Sequence, residues 1–491
     1  MYDYIIIGGG PSGLSMCQLL LKTGKTILLL EGENSLGGCH RVARIDGKFT
    51  EHAPRIYSST YVNLSTLFKD MGFNFNDIFT KYKFTLSSIG KKTIKSLQFY
   101  ELWHLSVAFV KLVFNINYGK DISLDSFINK YNFTSESKNY IDRLCRLVDG
   151  GTSLNFSLNQ FLEIVNQQFF HSLYQPMYPN DSKDGFITRW VNYLTSNKNV
   201  IVKVNSRLTK VIPNQNKIII NSKDVYLYKK LIFATSPFNI QEILPIYPQK
   251  YIANTTYIDY ISLTFYWKKR LNLPEVYGFS KSDWGVVYVV LSDYFKTETG
   301  TLITTTITIL DEKSRRTGKT ANQTVNLNDI KEEVKFQLYE AFATDIPEPT
   351  SITLYPEISY NSMLKKWGNN KNKSFFKAYK EPYVSNKVGN YKNIYNVGYQ
   401  NGHHTYNFNS IEAAVSNSMY LASVLEPTVN FPKIKSSITI IDVAYITMLF
   451  FLLLNIFIVI KYKITSPVYY IYLIFVTIFL TNSINIKDTV G

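Results

Sequence analysis

The sequence predicts an α/β protein of two or three globular units, with an apolar segment after them. The chain has 491 residues, which is too long for one ordinary hydrophobic core. Residues 2–30 alternate strand, helix and strand, and strand-like runs return after a long helical stretch. Residues 438–460 are almost continuously apolar.

The N-terminal residues form one strand–helix–strand unit. The run YDYIII (2–7) has the continuous hydrophobicity of a buried strand, residues 11–21 have helical character, and residues 26–30 form a second apolar strand. Two strands joined by a helix in this way are expected to be parallel, with a right-handed crossover.

A glycine motif, GxGxxG, lies between the first strand and the helix. The first glycine allows a tight turn, the second lets backbone approach a pyrophosphate, and the third lets helix and strand pack closely. The helix start offers free N–H groups to phosphates, and an acid at the end of the second strand can accept hydrogen bonds from a ribose diol. The residues assigned to a dinucleotide here are Gly8, Gly10, Pro11, Ser12, Gly13 and Glu31.

A second glycine pair follows in LGGCHR, with Gly37, Gly38 and Arg41. Paired glycines remove side-chain obstruction, and an arginine can neutralise phosphate charge. The stretch resembles the second glycine motif of the amine-oxidase and protoporphyrinogen-oxidase class of flavoproteins. The resemblance implies that the dinucleotide is FAD and that these residues contact it.

Later segments carry the same resemblance. The run from Ser206 to Pro237 is similar to the returning FAD-domain strands of that class, which implies that Leu208 covers adenine and Ala234 ends a cofactor-contacting strand. The run from Ile394 to Leu425 is similar to the closing motif of the class. The matching residues there are Gly398, Ser410, Ile411 and Glu412, with the helix N-terminus facing the flavin. No cysteine lies in this last block, so the flavin is expected to be non-covalent.

The resemblance, which covers about residues 1–430, implies a Rossmann-like FAD-binding domain with an interleaved substrate domain. The FAD-binding parts are 1–61, 186–245 and 386–430, and the substrate domain comprises 62–185, mostly helical, and 246–385, a mixed sheet. Within these ranges the pattern predicts helices over 328–342 and after Ser410, and strands over 200–233, 256–310 and in NIYNVGYQ.

The chain departs from the class at positions that bear on the chemistry. Many amine oxidases have a lysine near the flavin where this chain has Asp259 or Tyr260. Tyr399 and Ala413 also depart from the closing motif. The candidates for catalysis are Arg55, whose EHAPR stretch resembles a protoporphyrinogen-oxidase segment, Tyr260, His403 and His404. Each also has a non-catalytic interpretation: Arg55 as a structural arginine, Tyr260 as a core tyrosine, and the two histidines as residues of a polar loop.

The function predicted is hydride transfer from a small amine or an apolar ring substrate to FAD, with O₂ as the acceptor. Two alternatives stay open. One is a non-redox flavin mutase of the UDP-galactopyranose mutase type, and the other is a catalytically inactive flavin-fold membrane component.

The C-terminal residues 431–491 predict a membrane anchor with spans at about 438–460 and 468–484. The alternatives are one span with an interfacial segment, or a soluble helix pair. The N-terminus lacks a signal-peptide pattern, so the catalytic part is expected to face the cytosol.

Charge and cysteine content argue against a nucleic-acid-binding protein, a disulfide-rich protein and a cysteine metal site. The formal net charge is +16, but no long basic run or nucleic-acid module occurs, so a basic surface near anionic lipid is preferred to nucleic-acid binding. Three cysteines at unrelated positions indicate neither a disulfide framework nor a metal site, and they fit a reducing compartment. The sequence does not indicate the oligomeric state.

Overall fold

The computed structural model describes most of the chain. The description omits residues 42, 56, 82–87, 175, 180–184, 245–254, 274–281, 296–298, 343–345, 370–375, 379–382, 405–408, 464–465, 469, 472–473 and 475–491.

The first sheet has seven strands in the order β8-β2-β1-β11-β10-β9, with β20 paired to β11. Strands β2, β8 and β20 run parallel to their neighbours β1, β2 and β11, whereas β9 and β10 form antiparallel pairs. The strands are β1 (Tyr2–Ile7), β2 (Ile27–Leu30), β8 (Val200–Lys203), β9 (Leu208–Ile212), β10 (Lys217–Ile220), β11 (Asp224–Phe233) and β20 (Ile394–Asn396). The parallel centre requires side chains that are buried on both faces, which the continuous apolar runs supply.

Helices cover both faces of this sheet. On one face α1 (Pro11–Leu21), α9 (Gly185–Thr195) and α12 (Ile411–Leu425) pack in a single core with Tyr4 and Ile6. Ser15 and Ser418 join α1 to α12 by a hydrogen bond of 2.8 Å between their hydroxyl oxygens. On the other face Ile5 and Ile7 pack against β9, β10 and α10 (Pro237–Ile243).

Two short helices that the sequence groups with the substrate domain share the first core. Helix α2 (Val62–Asp70) and helix α3 (Phe75–Ile78) pack beside α1, and Leu64, Leu67 and Phe68 are fully buried there. A small sheet joins β5 (Tyr57–Ser58), which precedes these helices, to β6 (Phe79–Lys81) and β7 (Pro176–Pro179), which follow them. A hairpin of β3 (Ala43–Ile45) and β4 (Lys48–Thr50) precedes them.

A helical layer forms a separate core. Its members are α4 (Ser88–Ser96), α5 (Phe99–Phe114), α6 (Leu124–Lys130), α7 (Ser135–Asp149) and α8 (Leu158–Tyr174). Helices α6 and α7 begin at Ser123 and Thr134, whose side chains accept the first free N–H groups. The mostly helical character predicted for this part of the chain agrees with these elements.

The second large sheet is antiparallel, with the order β14-β15-β13-β16. It consists of β13 (Ile261–Trp267), β14 (Val286–Val290), β15 (Thr301–Ile307) and β16 (Ser351–Leu354), and α11 (Leu327–Phe342) packs on one face. Two-stranded pairs join β17 (Ile358–Asn361) to β18 (Lys366–Asn369), and β12 (Thr255–Tyr257) to β19 (Phe376–Ala378).

A long apolar helix, α13 (Ile440–Tyr462), follows the folded body. It is long and apolar enough to cross a membrane by length and composition, and it is the one such helix among the described residues. Only a minor share of it is buried against the rest of the chain. Most of the predicted second span, 468–484, lies outside the described residues.

Candidate functional site

A cavity of about 1350 Å³ runs between the first sheet, the helical layer and the second sheet. This exceeds the range of about 300–1,000 Å³ that is usual for small-molecule pockets. Its volume therefore suits an extended ligand with a smaller molecule beside it.

The first glycine turn lies at one end of the cavity. Gly8 has a φ of +106°, a conformation that a side chain disfavours. A Cβ on Gly13 would lie 1.9 Å from the Gly8 carbonyl oxygen, which is the close helix–strand approach that the third glycine of the motif serves. Gly10 lines the cavity, and a Cβ there would meet no protein atom closer than 3.7 Å. The protein tolerates a side chain at Gly10, so the open space is available to a ligand.

The second glycine pair lies directly beside the first turn. Gly37 and Gly38 have φ values of +116° and +53°, and the Gly37 N–H donates to the Gly9 carbonyl at 2.8 Å. The Cα atom of Gly38 faces Gly10 across the cavity floor. The two glycine motifs thus form one cradle of exposed backbone, which fits a pyrophosphate.

Glu31 directly follows β2 at the edge of this cradle. Its carboxylate accepts the Gly9 N–H at 2.8 Å and the Glu33 N–H at 2.9 Å, and it lines the cavity. The Arg41 guanidinium lies 3.8 Å from Glu31 and 3.0 Å from Glu357. Arg41 is therefore at the cavity wall but is already paired with two carboxylates, which weakens its expected role as a phosphate partner.

The N-terminus of α12 points into the cavity. Ser410 caps it by accepting the Ala413 N–H at 3.1 Å, and both Ser410 and Ile411 line the wall. Gly398 lines the wall next to them. Glu412, in the same turn, is buried away from the cavity and binds Asn63 and Leu64 at the start of α2. Its matching position in the family motif thus has a structural role in this chain.

The cofactor residues assigned from the sequence mostly reach the cavity. Those on its wall are Gly8, Gly10, Pro11, Ser12, Glu31, Gly38, Arg41, Leu208, Ala234, Gly398, Ser410 and Ile411. Gly13 and Gly37 lie behind the wall and shape the turns.

Arg55 lies on the wall as part of a buried ion pair. Its Nη2 is 2.9 Å from the Glu51 carboxylate, and its Nη1 donates to the Cys39 carbonyl at 2.8 Å. Burial, together with the Arg55 charge, lowers the pKa of neighbouring His52 to about 3, so this imidazole is neutral at physiological pH. Arg55 therefore fixes the loop after the second glycine pair, and its charge also faces the cavity.

Tyr260 is a buried residue of the cavity wall. Its ring packs edge-on against His52 with centroids 5.7 Å apart, and burial raises its pKa well above the usual value. The adjacent Asp259 pairs with Lys366 at 2.6 Å. At this position the chain thus presents a neutral phenol to the cavity.

The two histidines lie behind the wall. Gly402 has a φ of +76°, and the chain turns there so that the His403 ring stacks on Tyr420 of α12 with centroids 3.5 Å apart. The His404 ring stacks on Tyr399 at 5.2 Å, and burial lowers its pKa to about 3. Neither imidazole is among the described residues that line the cavity. A direct catalytic role for them is therefore not favoured.

The sequence did not reveal a buried ion pair beside the cavity, of which Asp149 lines the wall and Lys377 is not among the described lining residues. Lys377 of β19 contacts Asp149 at the end of α7, and both side chains are almost fully buried. The ammonium also lies 3.6 Å from the centroid of the Phe156 ring. Burial raises the pKa of Asp149, although the Lys377 charge opposes the shift. The Asn409 N–H, next to the α12 cap, points to the same carboxylate at 3.3 Å.

This pair has little sequence signal. Lys377 lies in a lysine-rich stretch, and Asp149 is more than two hundred positions away along the chain. Only the tertiary structure brings them together at the cavity. The double glycine after Asp149 was the one available hint of a close approach, and a Cβ on Gly151 would indeed lie 3.0 Å from Lys377.

The far end of the cavity is apolar, and we call it the chamber. The residues that define it are Leu105, Phe109, Leu147, Phe161 and Leu162. All belong to helices α5, α7 and α8. The cavity thus has a polar, glycine-walled end and an apolar end, with the α12 N-terminus and the Asp149–Lys377 pair between them.

A glycine cradle at the carboxyl ends of parallel strands is the arrangement that Rossmann-like folds use to bind dinucleotides. By sequence, residues 6–71 match the NAD(P)-binding Rossmann-like domain. Soluble pyridine nucleotide transhydrogenase of Hahella chejuensis is 32% identical over 72 residues, which are 14% of this chain and 15% of that protein.

Solved structures resemble much more of the chain. Cyclohexylamine oxidase from Brevibacterium oxydans has a TM-score of 0.59 at 14% identity, covering 87% of this chain and 99% of that one. A putrescine oxidase bound to putrescine gives 0.63 at 13% identity, with coverages of 87% and 99%. A protein assigned as a protoporphyrinogen oxidase from an Exiguobacterium species gives 0.61 at 14%, with 86% and 98%. The chain has the fold of the FAD-dependent amine oxidase superfamily, and the resemblance drawn from its motifs is confirmed at that level.

Proposed function

We propose that this chain is an FAD-dependent oxidoreductase that takes hydride from a small amine or an apolar ring substrate, with O₂ as acceptor. The observation that carries the proposal is the continuous cavity, whose glycine cradle and apolar chamber meet at the N-terminus of α12. Bound FAD would supply the hydride acceptor. The oxidases with the same fold support the proposal.

The residues present fit the cofactor. The backbone of Gly8, Gly10 and Gly38 leaves room for a pyrophosphate, and the α1 N-terminus directs N–H groups at it. Glu31 keeps acceptor capacity beyond its two backbone contacts, because each carboxylate oxygen can accept twice, and a ribose diol can use it.

The N-terminus of α12 and the chamber would serve the reacting end. The partial positive charge of the helix end favours negative charge in its neighbour. The apolar walls from α5, α7 and α8 exclude water and suit a substrate with little charge. Arg55 and Tyr260 are the polar groups that we assign to orienting the substrate.

We further propose that α13 anchors the protein in a membrane, with the folded body on the cytosolic side. Its 23 residues at about 1.5 Å per residue match a hydrocarbon core of about 30 Å. Lys433 and Lys435 precede the helix on the side of the body, in the sense of the positive-inside rule.

The proposal is tested by peroxide release from the purified full chain with a panel of primary amines, polyamines and reduced tetrapyrroles. At least one class should yield peroxide and, without oxygen, bleach the visible flavin absorbance. If bound FAD is bleached by no member of the panel, the oxidase proposal fails. Activity that instead requires prereduced flavin and a nucleotide sugar would identify a mutase.

Gly10→Ala tests whether the cradle is where the flavin binds. A methyl group there meets protein only at 3.7 Å, so the fold should persist, but the methyl group would occupy the cradle. The variant should lose flavin absorbance and peroxide release together while its unfolding temperature without cofactor stays unchanged.

A further inference from the structure

Helix α5 carries an apolar outer face, which we define as Phe99, Trp103 and Phe114. Their exposed fractions are 84%, 59% and 54%. The three residues lie on one side of the helix, because their spacings are close to whole turns of 3.6 residues. Large contiguous apolar surface is uncommon on a soluble body and marks an interaction site.

The anchor helix docks at the end of α5. The Tyr445 hydroxyl of α13 donates to the Val113 carbonyl in the last turn of α5. The Ile441 N–H donates to the Asn166 side-chain oxygen of α8 at 3.0 Å, and Ile441 is buried in the core of the helical layer. The start of α13 is therefore fixed against α5 and α8, and a bilayer that holds α13 must lie close to α5.

The cavity opens beside the same face. We call the opening the mouth, and define it as Ile94, Leu102, Val110 and Val165. These side chains line the cavity, yet about half of each remains exposed. Behind them on α5 come Leu105 and Phe109 of the chamber. Leu102 and Val110 of the mouth thus lie on the same helix as the outer face, and Ile94 of α4 and Val165 of α8 complete the mouth.

The charges near this surface suit anionic lipid. Lys95 of α4 and Lys111 of α5 are exposed near the mouth. Exposed aromatic residues with lysines at their edges are typical of helices that lie in a membrane interface.

We propose that the outer face of α5 lies in the bilayer interface and that the mouth admits an apolar substrate directly from the lipid phase. The substrate class is then a bilayer-dissolved molecule rather than a freely water-soluble amine. This part rests on the proposed function, since it takes the chamber as the substrate site; the lipid contact itself does not.

Trp103 provides a direct probe of the lipid contact. The chain has five tryptophans, and Trp190, Trp267, Trp284 and Trp367 are buried. The full chain is reconstituted in vesicles of phosphatidylcholine and phosphatidylglycerol with brominated acyl chains. Part of its fluorescence should be quenched relative to unbrominated vesicles, and Trp103→Phe should remove that part. Equal quenching of the two proteins, or of neither, overturns the lipid contact.

A matched control places a tryptophan on the opposite domain. Val225 of β11 is half-exposed on the first sheet. In a Trp103→Phe background, Val225→Trp should escape quenching. Quenching of Val225→Trp as strong as that of Trp103 would mean that lipid contact is not localised at α5, and would contradict the proposal.

Entry from the bilayer through the mouth is tested with a bilayer-dissolved phenyldiazirine, which reacts with nearby residues on illumination. Labels should appear on α13, on Trp103 and on the chamber residues Phe109 and Leu162. Val110→Arg should reduce the chamber labels several-fold while the α13 labels persist. Labelling of α13 in the native chain without labelling of the chamber would overturn access from lipid. Neither readout requires FAD or turnover, so failure here is distinct from failure of the oxidoreductase proposal.

Discussion

At the scale of single residues, we expect cofactor affinity to depend strongly on the Glu31 carboxylate, which lines the cavity. Hydrogen bonds to a charged group contribute about 1.5–3 kcal/mol, so Glu31→Gln should weaken FAD binding about 10- to 100-fold. The measurement is titration of the cofactor-free full chain, followed by flavin fluorescence.

Glu33→Gln is the control for this substitution. Glu33 is two positions away and pairs with Arg207 at 2.8 Å, where the arginine is largely exposed. Glu33 also lines the cavity, but its carboxylate is engaged by Arg207, so Glu33→Gln should weaken FAD binding less than Glu31→Gln does. A larger loss at Glu33 than at Glu31 would contradict the assignment of the ribose contact.

The Asp149–Lys377 pair gives a second prediction at this scale. Removing one partner of a buried pair leaves an uncompensated charge, so Lys377→Met should lower the free energy of unfolding by about 3–5 kcal/mol. Chemical denaturation in detergent measures the change. Asp149→Leu added to Lys377→Met should restore part of the loss, and a further large loss in the double variant would show that the pair is not coupled.

At the scale of elements, Glu412 connects α12 to the start of α2. Its carboxylate accepts the Asn63 and Leu64 N–H groups at 2.8 Å and 2.9 Å. Burial raises its pKa from 4.5 to about 7, although the N–H donors oppose the shift. Between these pH values the folded chain therefore holds a proton that the unfolded chain has lost.

The protonated Glu412 side chain stabilises the fold most at low pH. The contribution of Glu412 to stability is fully present below pH 4.5 and is lost as pH rises to about 7, by up to about 1.4 kcal/mol per pH unit. Glu412→Gln should remove this slope. If the native chain and the variant show parallel stability curves across that range, Glu412 does not titrate as described.

The elements also show what a single sequence can predict. The first strand, helix and strand agree with β1, α1 and β2, because continuous hydrophobicity and a glycine turn are local signals. The packing of α2 and α3 in the first core was not predictable, because it depends on Leu64 and Phe68 meeting α1 and α12 across the chain. The places of His403 and His404 were not predictable for a similar reason, since stacking on Tyr420 and Tyr399 is a tertiary contact.

At the scale of the whole molecule, α13 should control partition into membranes. A chain that ends after Thr447 keeps the Ile441 and Tyr445 contacts with the body but lacks most of the apolar helix. It should move from the membrane fraction to the soluble fraction and keep its flavin absorbance. A shortened chain that stays with membranes after salt and carbonate washes would show that α13 is not the main anchor.

The amount of FAD released from the purified full chain on denaturation directly measures whether the glycine cradle holds FAD. We expect about one FAD per chain without covalent attachment, and close to none for Gly10→Ala at an unchanged unfolding temperature without cofactor. A folded native chain that binds no FAD when the cofactor is supplied in excess would contradict this expectation.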